Sequence, residues 1–81
     1  MTEVVLYGKP GCHLCEEARA EIEAVRARRP FELREVDVSL DPVLYARYGE
    51  RIPVVAVAGR EAFEYFVDPD ELEYLLGKVE R

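Results

Sequence analysis

Two cysteines, the only ones in the chain, are separated by two residues in the segment Cys12-His13-Leu14-Cys15. Two thiols at this spacing near the start of a helix can close a small disulfide ring without unfolding the surrounding chain. A thiolate is the species that attacks a disulfide, and the amides at a helix N-terminus would stabilise one on Cys12. Cys15, one turn further along, is expected to be more buried. The spacing therefore predicts thiol–disulfide chemistry with Cys12 as nucleophile and Cys15 as resolving thiol.

The same two cysteines have two other interpretations. They could be ordinary core residues, but the glycines and proline of the preceding loop argue against this. A zinc site needs about four donors, whereas the chain has no second cysteine pair and only one histidine, His13. An all-protein metal site is therefore not predicted. A binding module, or a carrier of a metal or iron–sulfur cluster shared between chains, stays open as the alternative function.

Two further residues near the pair are candidate modulators of its chemistry. A protonated His13 would stabilise the thiolate of Cys12 and make the disulfide more oxidising. The alternative is an exposed histidine in the first helical turn with little influence. Lys9 would supply positive charge to the same thiolate or to an anionic ligand, and its alternative is a solvated loop lysine.

Pro53 follows Ile52 at the start of a strand pattern, where a proline removes no hydrogen bond from the sheet. A purely structural role is therefore one interpretation. In the other, a cis bond turns backbone groups of Ile52 toward the cysteines and offers them to an extended substrate. Both isomers are compatible with the sequence.

Hydrophobic patterning predicts the elements that must position these residues. Strands are predicted over Glu3–Tyr7, Phe31–Val38, Pro53–Val57 and Glu61–Val67, and helices over His13–Arg28, Pro42–Tyr48 and from Asp68 onward. The order β-α-β-α-β-β-α predicts an α/β, thioredoxin-like fold: a mixed four-stranded sheet flanked by helices. The first strand pair should be parallel and the last antiparallel. Cys12 then lies where a loop after a buried strand meets a helix.

Length and composition narrow the function classes. The 81 residues fit a single domain, 1–81, whose site must lie at the surface. The net charge of -6 lacks the basic footprint that nucleic acids require. The N-terminus has no signal-peptide features, and no apolar stretch of roughly 18 residues follows. We therefore expect a monomeric cytoplasmic protein without nucleic-acid or membrane partners. The absence of Asn and Gln and the excess of Arg over Lys are typical of thermophiles.

Two stretches, Tyr7–Cys15 and Arg51–Val55, resemble the glutaredoxin-like branch of the thioredoxin superfamily, and the resemblance covers almost the whole chain. The first stretch matches the Tyr-x-Lys-Pro-x-Cys-x-x-Cys of glutaredoxins, and Pro53 matches the cis-proline of the superfamily. Within this branch the chain is most similar to small bacterial glutaredoxin-like proteins with Cys-His-Leu-Cys. The resemblance implies the fold and the thiol–disulfide chemistry. We expect a disulfide-containing protein as the substrate, with Tyr7, Ile52 and Pro53 as substrate-binding residues.

Departures from the glutaredoxin pattern bear on glutathione. Glutaredoxins usually carry Cys-Pro-Tyr-Cys and a Gly-Gly pair before the last helix, where this chain has His13-Leu14 and Val67-Asp68. The side chains of Val67 and Asp68, which stand where glutaredoxins have two glycines, narrow the groove that would hold glutathione. The carboxylate of Asp68 would also repel a carboxylate of glutathione. These departures argue against glutathione as a ligand, although Lys9 is retained, and no cofactor is expected beyond the redox-active cysteine pair. The electron donor is expected to be glutathione or a thioredoxin-reductase-like enzyme, since Val36–Asp41 also resembles redoxins that serve ribonucleotide reductase.

Overall fold

The computed structural model describes residues 1–80. Its elements, in chain order, are β1 (Glu3–Gly8), α1 (His13–Arg28), β2 (Glu32–Asp37), a 3-10 helix (Val38–Leu40), α2 (Pro42–Tyr48), β3 (Val54–Val57), β4 (Arg60–Glu64) and α3 (Pro69–Val79). This order confirms the predicted α/β arrangement of a mixed sheet with helices. No helix in residues 1–80 is both long and apolar enough to cross a membrane.

The four strands form one sheet in the order β2-β1-β3-β4. β1 pairs in parallel with β2, because the crossover through α1 returns the chain to the same end of the sheet, and it pairs antiparallel with β3. β3 and β4 form an antiparallel hairpin whose turn residues, Ala58 and Gly59, have φ of 52° and 84°. Both predicted pairings, the first parallel and the last antiparallel, are confirmed.

Buried side chains form two clusters against this sheet. The larger cluster packs strand side chains against α1 and α3, and consists of Val4, Leu6, Ala18, Ile22, Val25, Phe31, Val55, Val57, Leu72 and Leu76. The smaller cluster joins α2 and the 3-10 helix to the sheet near the start of α1, and consists of Cys15, Val38, Tyr48, Ile52 and Val54. The second cysteine is therefore part of a packed core rather than of a surface loop.

The ends of β2 differ from the prediction. The strand was expected to run from Phe31 to Val38, but those two residues lie just outside it and are buried, with exposed fractions of 1% and 0%. Asp37 ends the strand because its carboxylate accepts a hydrogen bond from the Ser39 amide at 2.9 Å, which starts the 3-10 helix. The buried apolar residues Phe31 and Val38 thus flank the strand instead of forming its ends.

The hairpin strands are also shorter than expected. β3 begins one residue after Pro53. β4 was expected to continue to Val67 but ends at Glu64, because Tyr65 has a φ of 69°, a left-handed conformation that leaves the sheet. The amide of Tyr65 donates to the Pro53 carbonyl at 2.8 Å, and its hydroxyl donates to the Glu50 carbonyl at 2.9 Å. These bonds attach the end of the hairpin to the segment that precedes β3.

Candidate active site

The cysteine pair lies where β1 passes into α1. Gly11, in the connecting loop, has a φ of 78°, which a glycine adopts at little cost. Cys12 is the N-cap of α1, and its Sγ accepts a hydrogen bond from the Cys15 amide at 3.2 Å. The sulfur of Cys12 therefore occupies the position at which helix amides stabilise a negative charge.

Cys15 lies in the first turn of the same helix. The two sulfurs are joined in a disulfide, and the Cα atoms are 5.2 Å apart, within the usual range for such a bond. Cys15 is only 8% exposed, whereas Cys12 is partly exposed. An external group therefore reaches the sulfur of Cys12 more easily than that of Cys15.

Gly8, the last residue of β1, is a site residue that the sequence analysis missed. A Cβ atom at Gly8 would lie 2.9 Å from the Sγ and 3.2 Å from the Cβ of Cys15. Any side chain larger than hydrogen would therefore displace the second cysteine. The available signal was the glycine itself, which interrupts an apolar strand just before the cysteine loop.

Tyr7 lies against the ring of Tyr48, with ring centroids 4.3 Å apart and planes inclined by 20°. Both tyrosines belong to or pack against the cluster that contains Cys15. Burial raises the pKa of the Tyr7 phenol above its ordinary value, and the neighbouring Tyr48 raises this pKa further. Tyr7 thus packs as an aromatic ring against the cluster that contains Cys15. Tyr48, to which the sequence analysis assigned no role, supplies its stacking partner.

Ile52 and Pro53 are joined by a cis peptide bond and lie in the same region. Pro53 is fully buried, and Ile52 is 9% exposed and packs in the cluster with Cys15. Across residues 1–80, neither the N–H nor the carbonyl of Ile52 makes a hydrogen bond. The structure therefore leaves one unpaired stretch of backbone close to the cysteines.

His13 and Lys9 lie on either side of Cys12 in sequence, but their side chains contact other residues. The imidazole of His13 is 86% exposed, and its Nε2 is 3.7 Å from a carboxylate oxygen of Glu17. The Nζ of Lys9 lies 5.9 Å from the ring centroid of Tyr45, near the outer limit of a cation–π contact. Any influence of these two residues on the cysteines therefore acts through charge at a distance.

A surface cavity of about 340 Å³ opens on the β2 side of the pair and reaches Cys15. Gly8 and the loop that follows it form one wall, and Glu16, Arg19 and Asp37 contribute charged groups to the others. In the part of the chain that the structure describes, no three Cys, His, Asp or Glu side chains converge as a metal site would require. The two cysteines are thus the reactive groups that the geometry brings together.

This fold, with a cysteine pair at disulfide distance at the start of its first helix, defines a protein of the thioredoxin-like class. Residues 3–77 match the model of the family described as Glutaredoxin-like domain (DUF836). The chain therefore belongs to this glutaredoxin-like family of the thioredoxin superfamily, which confirms the resemblance inferred from its motifs.

Three known proteins show how far the similarity extends. An uncharacterized protein of Mycobacterium tuberculosis is 29% identical over 75 residues, covering 86% of this chain and 77% of the relative. The solution structure of protein Ne2328 from Nitrosomonas europaea has a TM-score of 0.80 and 32% identity, covering 91% of this chain and 89% of that one. Reduced desulfothioredoxin from Desulfovibrio vulgaris Hildenborough has a TM-score of 0.70 and 26% identity, covering 95% and 80% respectively. These similarities confirm the thioredoxin-like fold.

Proposed function

We propose that this protein is a dithiol–disulfide oxidoreductase that reduces or exchanges disulfides in cytoplasmic proteins. One observation carries the proposal: Cys12 is partly exposed, and its sulfur caps the N-terminus of α1 and lies within bonding reach of the buried Cys15. A helix N-terminus favours the thiolate form of a cysteine, which is the reactive form. The pair therefore combines an accessible nucleophile with a second thiol held close to it.

The proposed cycle has two exchange steps. The Cys12 thiolate attacks one sulfur of the substrate disulfide, which breaks that bond, forms a mixed disulfide and releases one substrate thiolate. Cys15 then loses its proton and attacks the sulfur of Cys12, which closes the intramolecular disulfide and releases the second substrate thiol. Two electrons pass from the cysteine pair to the substrate, and a glutathione or thioredoxin-reductase-like donor returns them to the pair.

The backbone around Ile52 is the proposed contact for the substrate. Its N–H and carbonyl make no hydrogen bond in the described structure, and its side chain packs beside Cys15. An extended peptide can pair with such an edge as an added strand would. Pro53 and Tyr7 lie in the same region, since Pro53 is buried next to Ile52 in the chain and Tyr7 packs against the cluster that contains Ile52.

A protein disulfide suits this surface better than an anionic tripeptide such as glutathione. The Asp68 carboxylate accepts hydrogen bonds from the amides of Asp70 and Glu71 at 3.0 and 3.3 Å. These first-turn amides of α3 are therefore already paired, and the same carboxylate repels an anionic ligand. We propose further that Lys9 and His13 modulate the potential of the pair through their charge, with small effects because both side chains are exposed.

The test is turnover of insulin disulfides by the purified protein with dithiothreitol as reductant. Cys12→Ser should reduce the rate to the uncatalysed background, because the attacking sulfur is removed. Cys15→Ser is the matched variant: once it has been reduced and freed of dithiothreitol, it should still attack insulin, and it should accumulate a mixed disulfide that mass spectrometry detects. An unchanged rate in the Cys12 variant contradicts the proposal. Bound metal or visible absorbance in anaerobically purified protein, together with no intramolecular disulfide, would instead support the cluster carrier.

A further inference from the structure

Arg51 lies two residues before Pro53, in the loop between α2 and β3, and its side chain connects α2 to β4. Its Nη1 atom lies 3.0 Å from a carboxylate oxygen of Glu61 and 3.0 Å from one of Glu64, both in β4. Its Nε and Nη2 atoms donate to the carbonyl of Arg47, near the end of α2, at 3.4 and 3.2 Å. One guanidinium therefore joins α2 to β4 on either side of the segment that carries Ile52.

The same guanidinium also approaches the stacked pair of Tyr7 and Tyr48. Its Cζ atom lies 5.4 Å from the ring centroid of Tyr48, which stacks on Tyr7. Tyr48 belongs to the cluster that contains Cys15 and Ile52. The position of Arg51 is thus coupled by direct contacts to the core of the candidate active site.

These contacts differ from an ordinary surface ion pair. Among residues 1–80, Arg51 alone pairs with two carboxylates, and its hydrogen bonds to Glu61 and Glu64 raise the pKa of the guanidinium above its ordinary value. An isolated exposed pair contributes little to stability. The guanidinium of Arg51, by contrast, donates to three acceptors on two elements, α2 and β4. It therefore also restricts the backbone between those elements.

We propose that Arg51 is a positioning residue that holds the segment from Gly49 to Pro53 so that the Ile52 backbone is aligned to pair with an extended protein substrate. The inference rests on the proposed oxidoreductase function. If the Ile52 backbone is already aligned before the substrate binds, less entropy is lost when the complex forms. A small disulfide has no peptide backbone to pair with Ile52, so its reaction does not depend on this alignment.

The experiment compares two substrates for Arg51→Met, with dithiothreitol as reductant and the uncatalysed rate subtracted. Losing the alignment of about one backbone hydrogen bond should raise KM for insulin about three- to tenfold. The kcat for insulin, and the rate with bis(2-hydroxyethyl) disulfide, should change less than about twofold. Arg51→Lys retains the charge without the fork of donors, so it should recover part of the lost KM.

Arg28→Met is the matched control. It removes an exposed pair with Glu73 and the same single charge, at a point about 20 Å along α1 from Cys15. Its KM for insulin should not change, which separates positioning from altered attraction between enzyme and substrate. Glu64→Gln, which weakens one arm of the fork, should raise KM in the same direction by a smaller factor, and it replaces Arg51→Met if that variant does not fold.

Three outcomes overturn the inference, and one of them also removes its basis. If Arg51→Met raises KM no more than Arg28→Met does, Arg51 does not position the substrate segment. If it slows both substrates equally, it acts on the cysteine pair and not on the Ile52 edge. If the wild-type protein turns over neither substrate, the oxidoreductase function itself is wrong.

Discussion

The two buried clusters lie against the same sheet but differ in the types of side chain that form them. The larger, under α1 and α3, contains only aliphatic side chains and Phe31, and its central members are fully buried. The smaller contains a cysteine, Tyr48, on which Tyr7 stacks, and Ile52, whose backbone N–H and carbonyl make no hydrogen bond within residues 1–80. The packing that stabilises the fold therefore involves the later turns of α1, whereas the reactive cysteines lie at its start.

Helix α1 connects the two clusters. Ala18, Ile22 and Val25 lie in the larger cluster, whereas Cys15, one turn earlier, lies in the smaller one. The later turns of α1 therefore pack in the larger cluster, whereas the first turn packs in the smaller one. A substitution in one cluster should leave the main property of the other nearly unchanged.

The largest expected effect is on stability, from Ile22→Ala. Ile22 is fully buried in the larger cluster, so truncation leaves a cavity and should lower the free energy of unfolding by about 2–5 kcal/mol. Urea unfolding of the oxidised protein measures this. The redox potential of the cysteine pair should stay the same, and Glu21→Ala, on the exposed face of α1, should change neither property. A shifted potential in the Ile22 variant would show that the clusters are not separable.

Gly8→Ala should affect the smaller cluster. Its new Cβ would lie 2.9 Å from the sulfur of Cys15, and overpacking of this kind costs about 1–3 kcal/mol. Displacement of the resolving sulfur should also slow the second exchange step, so a mixed disulfide on Cys12 should accumulate and be seen by acid trapping and mass spectrometry. Gly77→Ala, where the nearest side-chain atom is 3.4 Å away in Arg29, should accumulate none. Rapid resolution in the Gly8 variant would contradict the close packing.

The smallest effect concerns alkaline stability. Burial raises the pKa of Tyr7 above 10.0, so as the pH rises past about 10 the phenol ionises first in the unfolded chain. The folded state then binds more protons than the unfolded state, and the free energy of unfolding falls with rising pH. Tyr7→Phe should make this fall shallower in urea titrations of the oxidised protein. Tyr74→Phe, at a position 62% exposed, is the matched control and should keep the wild-type slope; equal slopes for both variants would refute the assignment.

Much of the fold could be predicted because its signals are local. Apolar spacing identified α1, and Asp68 followed by Pro69 marked the start of α3, where the structure has the N-cap and first residue. The ends of β2 and β4 could not be predicted in the same way. The hydrogen bond accepted by the Asp37 carboxylate ends β2, and the positive φ of Tyr65 ends β4, although apolar residues follow each strand in the sequence.

The order of elements, the parallel crossover and the cysteine pair at a helix start could all be predicted from the sequence, because each follows from the residue pattern of single elements or from their order along the chain. The groups that meet around that pair are set by tertiary packing. Gly8 contacts Cys15 seven positions away, Tyr7 stacks on a residue of α2, and Arg51 bridges to β4. Such contacts depend on how the strands and helices pack in three dimensions. The spacing of apolar residues along the chain does not specify that packing.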